Sequence, residues 1–130
     1  MNKEYIINNK YFSLGVSRNG GCITHFNYRL NDGKQFPIFR PTDWANLDLP
    51  FSVNTGLFPM MPVVNRIKKN AFPWDGKYIQ LKNNLADPYY FLHGDGWLKE
   101  WKILPSHPDQ IRLYLPLDKK ATALSTTMPY

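Results

Sequence analysis

Two short stretches of this chain hold the residue types that grip a polyhydroxylated small molecule. The first is Leu57-Phe58-Pro59-Met60-Met61-Pro62-Val63-Val64-Asn65-Arg66-Ile67, an apolar approach that ends in an Asn-Arg pair. The second is Leu92-His93-Gly94-Asp95-Gly96-Trp97, a histidine set before a double-glycine turn. Arginine carries a rigid fork of N–H donors that can span neighbouring hydroxyls. Histidine changes charge near neutral pH and so suits a proton-transfer step. Asparagine can donate and accept, but it also closes turns with its own backbone.

Other candidates carry less. His107-Pro108 lies in a polar turn before Asp109 and reads as a loop histidine. His25 alternates with Phe26 along an expected strand and reads as a surface residue. Glu100, between Lys99 and Trp101, reads as a strand-face charge rather than a base. Trp97 and Trp101 fall on one side of an expected strand, where they fit a sugar-stacking platform or a sandwich core equally.

The elements that must position these groups are strands. Tyr5-Ile6-Ile7 and Tyr11 to Val16 flank an Asn8-Asn9-Lys10 turn. Arg18-Asn19-Gly20-Gly21 is a second turn, with Asn-Gly supplying the positive φ of a type I′ hairpin. Cys22 to Tyr28 alternates, with Cys22, Thr24, Phe26 and Tyr28 on one face. Gln35 to Pro41 is a proline-limited edge strand. Residues 42–55 form a long loop. Phe72-Pro73-Trp74 and Lys77 to Leu81 make a hairpin around Asp75-Gly76. Lys82 to Pro88 is a polar loop, Tyr89 to His93 a short apolar strand, and Trp97 to Leu104 and Gln110 to Leu117 two more strands. The tail from Lys119 is weakly patterned. No window sustains helical periodicity. The expectation is an all-β antiparallel sandwich occupying residues 1–130 as a single domain.

Composition excludes several classes. The 130 residues carry a net charge of +6, but the basic residues are scattered rather than clustered. Nucleic-acid binding calls for a basic patch or stripe, so none is expected. The single cysteine, Cys22, permits no intrachain disulfide, and no paired-cysteine or His/Cys spacing suggests a metal. No cofactor motif is present. There is no signal-peptide core and no long apolar run, so membrane insertion is not expected and a cytoplasmic location is the default.

The two stretches together resemble the aldose 1-epimerase (galactose mutarotase) family. Gly15 to Tyr28 looks like its opening hairpin. Phe58 to Leu81 is similar to its phenylalanine-proline, asparagine-arginine-isoleucine core and the hairpin after it. Leu92 to Trp101 resembles its histidine-glycine-x-glycine-tryptophan turn, and Met128-Pro129-Tyr130 a later proline-tyrosine step. The resemblance implies the N-terminal half of a β-supersandwich, truncated here. It implies an enzyme that interconverts the α and β anomers of free aldoses: a base takes the anomeric hydroxyl proton, an acid protonates the ring oxygen, and the ring opens and recloses. By resemblance Asn65, Arg66 and His93 bind the sugar, and His93 assists catalysis. The family's principal acid, a second histidine, and its base, a glutamate near the C-terminus, have no matching positions.

The expected partners are therefore an aldose and, to cover a half-sandwich, a second copy in a homodimer or a complementing C-terminal chain. The alternative is a non-catalytic carbohydrate-binding or structural remnant of the family. A basic nucleic-acid-binding β domain is a third class, which salt-dependent binding would reveal.

Overall fold

The computed structural model describes residues 4–84, 89–116 and 126–129. The strands are β1 (Tyr5–Asn8), β2 (Phe12–Val16), β3 (Ile23–Arg29), β4 (Gln35–Phe39), β5 (Ala71–Trp74), β6 (Lys77–Gln80), β7 (Lys102–Leu104), β8 (Arg112–Tyr114) and β9 (Thr126–Pro129). They form three antiparallel sheets, ordered β1-β2-β3-β4, β5-β6-β9 and β7-β8. Helical structure among the described residues is limited to short 3₁₀ turns at Phe51–Asn54, Lys68–Asn70 and Gly96–Leu98. The all-β antiparallel expectation holds.

The chain divides into two compact units. The first comprises residues 1–59 and 97–115, the second residues 60–96 and 116–130.

The first unit is built on the β1-β2-β3-β4 meander. Phe12 pairs with Tyr28 and Leu14 with Phe26, which lays the aromatic rings on one face. Phe12 stacks on Phe26 at 5.4 Å, and Phe26 meets Phe39 edge-on at 5.5 Å. Beside them Ile7, Asn8, Asn9, Phe12, Leu14, Phe26 and Asp109 line a cleft of about 150 Å³. The turn after β2 docks on the tryptophan segment. Gly20 donates its N–H to the Lys99 carbonyl at 2.8 Å, and Trp101 donates to Arg18 at 2.9 Å. The positive φ of this turn is carried by Gly20 (70°) and Gly21 (60°), rather than by the Asn19-Gly20 pair expected from the sequence. A Cβ at Gly20 would lie 2.5 Å from the Trp97 carbonyl oxygen, so glycine is required there on two counts.

The polar face of the same sheet corrects the surface reading of His25. Its Nε2 lies 3.0 Å from the Ser13 hydroxyl and its Nδ1 lies 3.4 Å from Glu4, which also accepts from Thr24. Ser13 and Thr24 are buried. The histidine is part of a polar cluster because Ser13 on the neighbouring strand β2 and Glu4, just before β1, supply it with partners.

Trp97 and Trp101 do not share a strand. Trp97 sits in a 3₁₀ turn, stacked on Phe58 at 5.4 Å and 3 % exposed, while Trp101 lies against Gly21 and is 8 % exposed. Both are core residues, which removes them as sugar platforms. The long loop 42–55 is fixed by side chains. The Arg40 guanidinium donates to the carbonyls of Val53, Asn54 and Thr55 at 2.8–3.2 Å, and Ser52 donates to the Trp97 carbonyl at 2.8 Å.

The second unit contains the β5-β6 hairpin. Its turn places Asp75 (φ 48°) and Gly76 (φ 67°) in the left-handed region, as the Asp-Gly signal requires. β9, unforeseen in the weakly patterned tail, pairs with β6 in register Tyr78 to Met128. Residues 89–93, expected as a strand, form none. Their contribution to a ladder is one isolated bridge between Leu92 and Arg66, and their backbone is bonded instead by asparagine side chains. Parts of the expected 82–88 loop and 110–117 strand fall outside the described residues.

Cys22 reports on closure of the first unit. It is fully buried, and burial pushes its thiol up to about 11 against a smaller opposing effect of the Thr55 contact. Only the thiolate is nucleophilic. The native protein at pH 8 should resist an aromatic disulfide reagent, and guanidinium should release one equivalent of thiol. Rapid native reaction would mean that the β2–β3 turn does not seal against the tryptophan segment.

Candidate functional site

Asn65, Arg66 and His93 converge in the second unit. The backbone of 65–66 runs against that of 92–93. Arg66 bridges Leu92, and His93 donates its N–H to the Asn65 carbonyl at 3.0 Å. In return the Asn65 N–H donates to the His93 ring at Nδ1, 2.9 Å away. Both residues occupy the left-handed region, Asn65 at φ 66° and His93 at φ 58°, with Gly94 following at 70°. Such conformations cost a non-glycine residue about 1–2 kcal/mol and persist where surrounding bonds over-determine them.

The bond to Nδ1 has a chemical consequence. A backbone N–H can only be accepted by an unprotonated ring nitrogen, so neutral His93 carries its proton on Nε2. Protonation at Nδ1 would break this bond. Two further effects oppose the imidazolium. Partial burial, the larger, and the positive charge of Arg66 hold His93 below its ordinary value of 6.5.

Arg66 is exposed, and Asn65 organises its entry. The Asn65 Oδ1 accepts from the Arg66 backbone N–H at 3.0 Å and reaches the guanidinium at 3.5 Å, the outer limit of a hydrogen bond. The site thus presents an arginine fork beside a neutral imidazole with a fixed tautomer. Both are donor groups suited to hydroxyl and ring oxygens of a neutral polyol.

The turn behind His93 is crowded. A Cβ at Gly94 would lie 2.0 Å from the Met61 carbonyl oxygen, and Gly96 donates its N–H to that same carbonyl at 3.1 Å. This explains the glycine at position 94, before the buried Asp95. The approach Met61-Pro62 and the turn after His93 are pressed together, and only glycine fits.

Sequence reasoning missed Asn70 and Asn84. Asn70 is 9 % exposed, accepts from the Phe91 N–H at 2.6 Å and donates to the Tyr89 carbonyl at 3.3 Å. Asn84 donates to the carbonyls of Leu92 (2.7 Å) and Gly94 (2.9 Å) and accepts from the Leu92 N–H at 3.1 Å. The one available signal was their type, since asparagine supplies both halves of a backbone pair. Of the other histidines, His107 is an exposed turn residue 3.8 Å from Asp109, and His25 belongs to the first unit. Glu100 is exposed and paired with Arg18 at 3.0 Å. The cleft of the first unit is lined by apolar groups, two asparagines and an aspartate, and lacks an arginine or histidine.

Comparison with known proteins gives a consistent answer. A family model described as Aldose 1-epimerase matches residues 3–124. The uncharacterized protein YphB of Escherichia coli K12 is 34 % identical over 105 residues, which is 81 % of this chain and 33 % of that protein. The crystal structure of a provisionally assigned aldose 1-epimerase from the same organism superposes with a TM-score of 0.69 at 32 % identity, covering 85 % of this chain and 35 % of that one. A GalM/aldose epimerase homologue from C. elegans superposes with a TM-score of 0.68 at 17 % identity over 95 % and 38 % of the two chains, which shows a shared fold. The chain spans about a third of the length of these relatives. That is less than the half the sequence resemblance implied.

The histidine gives a signed pH prediction. As pH falls the unfolded chain takes up the proton first, at its ordinary value near 6.5, while folded His93 resists it. The contribution of neutral His93 to stability is therefore present above about pH 6.5 and is lost as pH falls through the folded value. Side-chain ¹⁵N correlation spectra should show the Nε2–H tautomer and a midpoint below 6.5, and Arg66→Gln should raise that midpoint. A wild-type midpoint above 6.5, or an Nδ1–H tautomer, would contradict the geometry.

Proposed function

Because the chain belongs to the aldose 1-epimerase family, we propose that it binds free aldoses through Arg66 and His93 and serves the interconversion of their α and β anomers. Asn65 holds the loop that presents both groups. The observation that carries this reading is the reciprocal bonding of residues 65 and 93, which fixes a neutral imidazole beside a guanidinium. Arg66 orients the sugar through its hydroxyls. His93, donating from Nε2, contacts the ring region and assists protonation there.

Mutarotation needs a base for the anomeric hydroxyl as well as an acid. The sequence has no positions matching the family's principal pair. Catalysis is accordingly assigned to this fold only together with those two groups, and these 130 residues by themselves are read as an aldose-binding unit. A cytoplasmic location fits this role, and no helix among the described residues is long and apolar enough to cross a membrane.

The first sheet is read as a surface for a second copy or a complementing chain. Its two edge strands carry exposed apolar side chains, Ile6 (52 %) on β1 and Phe36 (63 %) and Ile38 (45 %) on β4. Open strand edges recruit further strands.

Titration with D-galactose and D-glucose should shift the amide resonances of residues 65, 66 and 93, and Arg66→Ala should weaken binding about tenfold, the scale of a lost hydrogen bond. Unchanged spectra at tens of millimolar sugar would refute aldose binding. Polarimetry on fresh α-anomers should find the chain slower than full-length relatives by about 10² to 10⁴, the usual worth of one positioned acid or base. A full rate would mean that residues here already supply both. Sedimentation equilibrium should find a dimer, or a monomer that binds hydrophobic dye; a monomer that binds none would remove the proposed interface.

A further inference from the structure

We infer that Asn84 is the positioning residue of this site, the group that fixes the backbone carrying His93 so that its ring can meet the Asn65 N–H. The inference rests on the aldose-binding reading for its functional consequence, but its structural content stands apart from it.

His93 lies in a left-handed conformation and is followed by Gly94 in another. A histidine gains nothing from that backbone unless its neighbours are held. One amide holds them. Asn84 Nδ2 donates to the Leu92 carbonyl at 2.7 Å and to the Gly94 carbonyl at 2.9 Å, so it spans the residue between them. Asn84 Oδ1 accepts from the Leu92 N–H at 3.1 Å. The donors and the acceptor of a single primary amide are thus spent on the two residues that flank His93. On the opposite side, the Asn65 carbonyl accepts from the His93 N–H, and the Asn65 N–H donates to its ring. Asn84 sets the turn, and Asn65 sets the ring within it.

Asn70 is the natural comparison. It uses the same amide chemistry on the same segment, but on Tyr89 and Phe91, ahead of the site. It also accepts at its backbone carbonyl from Leu81 at 2.7 Å, which ties it to the end of the β5-β6 hairpin. Loss of Asn70 should loosen the unit as a whole. Loss of Asn84 should loosen His93.

The isostere Asn84→Asp separates the two halves of the amide. It keeps an acceptor for the Leu92 N–H but sets carboxylate oxygens against the carbonyls of Leu92 and Gly94, where donors are required. Asn84→Ala removes both halves.

The test follows the His93 ring in the 130-residue chain. Side-chain ¹⁵N spectra of wild type should show the Nε2–H tautomer, and the Leu92 amide should be protected from hydrogen exchange. In Asn84→Ala and Asn84→Asp the ring should move to a mixture of tautomers with a higher titration midpoint, while the amide shifts of Cys22 and Trp101 stay in place. Titration with D-galactose should weaken roughly tenfold in both variants, on the scale of a lost hydrogen bond. Asn70→Ala should instead lower the urea midpoint and leave the His93 tautomer intact in the folded fraction. The proposal is overturned if either Asn84 variant folds with an unchanged His93 tautomer and midpoint. It is equally overturned if the wild-type Leu92 amide exchanges like an exposed loop, a result that needs no variant. If wild type binds neither galactose nor glucose, the aldose reading fails, and the ring spectra still decide the role of Asn84.

Discussion

Every buried backbone N–H and C=O needs a partner, and among the described residues the segments around the candidate site lie outside regular strands. Side-chain amides and a guanidinium take that place. Asn70 and Asn84 bond the backbone of residues 89–94 as a neighbouring strand would. Arg40 does the same for the carbonyls of 53–55, and Asn54 for those of Asp48 and Phe51 at 2.8 and 2.9 Å. A strand would impose its pleat and alternate the side chains to opposite faces. A side-chain partner imposes no such rule. It leaves the backbone at liberty to take the left-handed conformations of Asn65, His93 and Gly94 that turn the ring toward a main-chain donor.

This substitution also marks the line between what the sequence disclosed and what it concealed. The hairpins were legible because their causes are local. Asp75-Gly76 dictates a turn with two positive φ angles, and the alternation from β2 into β3 dictates a sheet with one aromatic face. The strand expected at 89–93 failed because the side chains of Asn70 and Asn84 bond Tyr89, Phe91 and Leu92, leaving one isolated bridge to Arg66, a pairing that no period reveals. The same holds for Trp97 and Trp101. Their spacing suggested one side of a strand, but the Gly20-Gly21 turn and Ser52 hold that segment from afar in a tighter conformation. β9 was obscured because its pairing with β6 joins segments far apart in the chain.

The site shows a similar division. Arg66 and His93 were legible from residue type and motif, and the structure brings them together with Asn65. The role of Asn65 was not legible in full. A sequence motif states that an asparagine precedes the arginine, but not that its backbone N–H is the group that sets the histidine tautomer. The glycines of the His93 turn were read as turn formers. The structure adds a second reason, the Met61 carbonyl pressed against the position of a Cβ at Gly94.

The electrostatic pairing of Arg66 with His93 bears on which half of an acid–base reaction this surface can perform. The guanidinium disfavours an imidazolium nearby, and the Asn65 N–H occupies the nitrogen that would take up the added proton. His93 is therefore held as a neutral donor near pH 7. A neutral imidazole that donates from Nε2 can share a proton with a ring oxygen as negative charge develops there, and the adjacent Arg66 favours that charge. Neither group can accept a proton from the anomeric hydroxyl in the same state: one is a permanent cation, and the other has its basic nitrogen engaged. On the proposed aldose reading, Arg66 and His93 would serve the electrophilic half of anomer exchange, and the base for the anomeric hydroxyl would be a group other than these two.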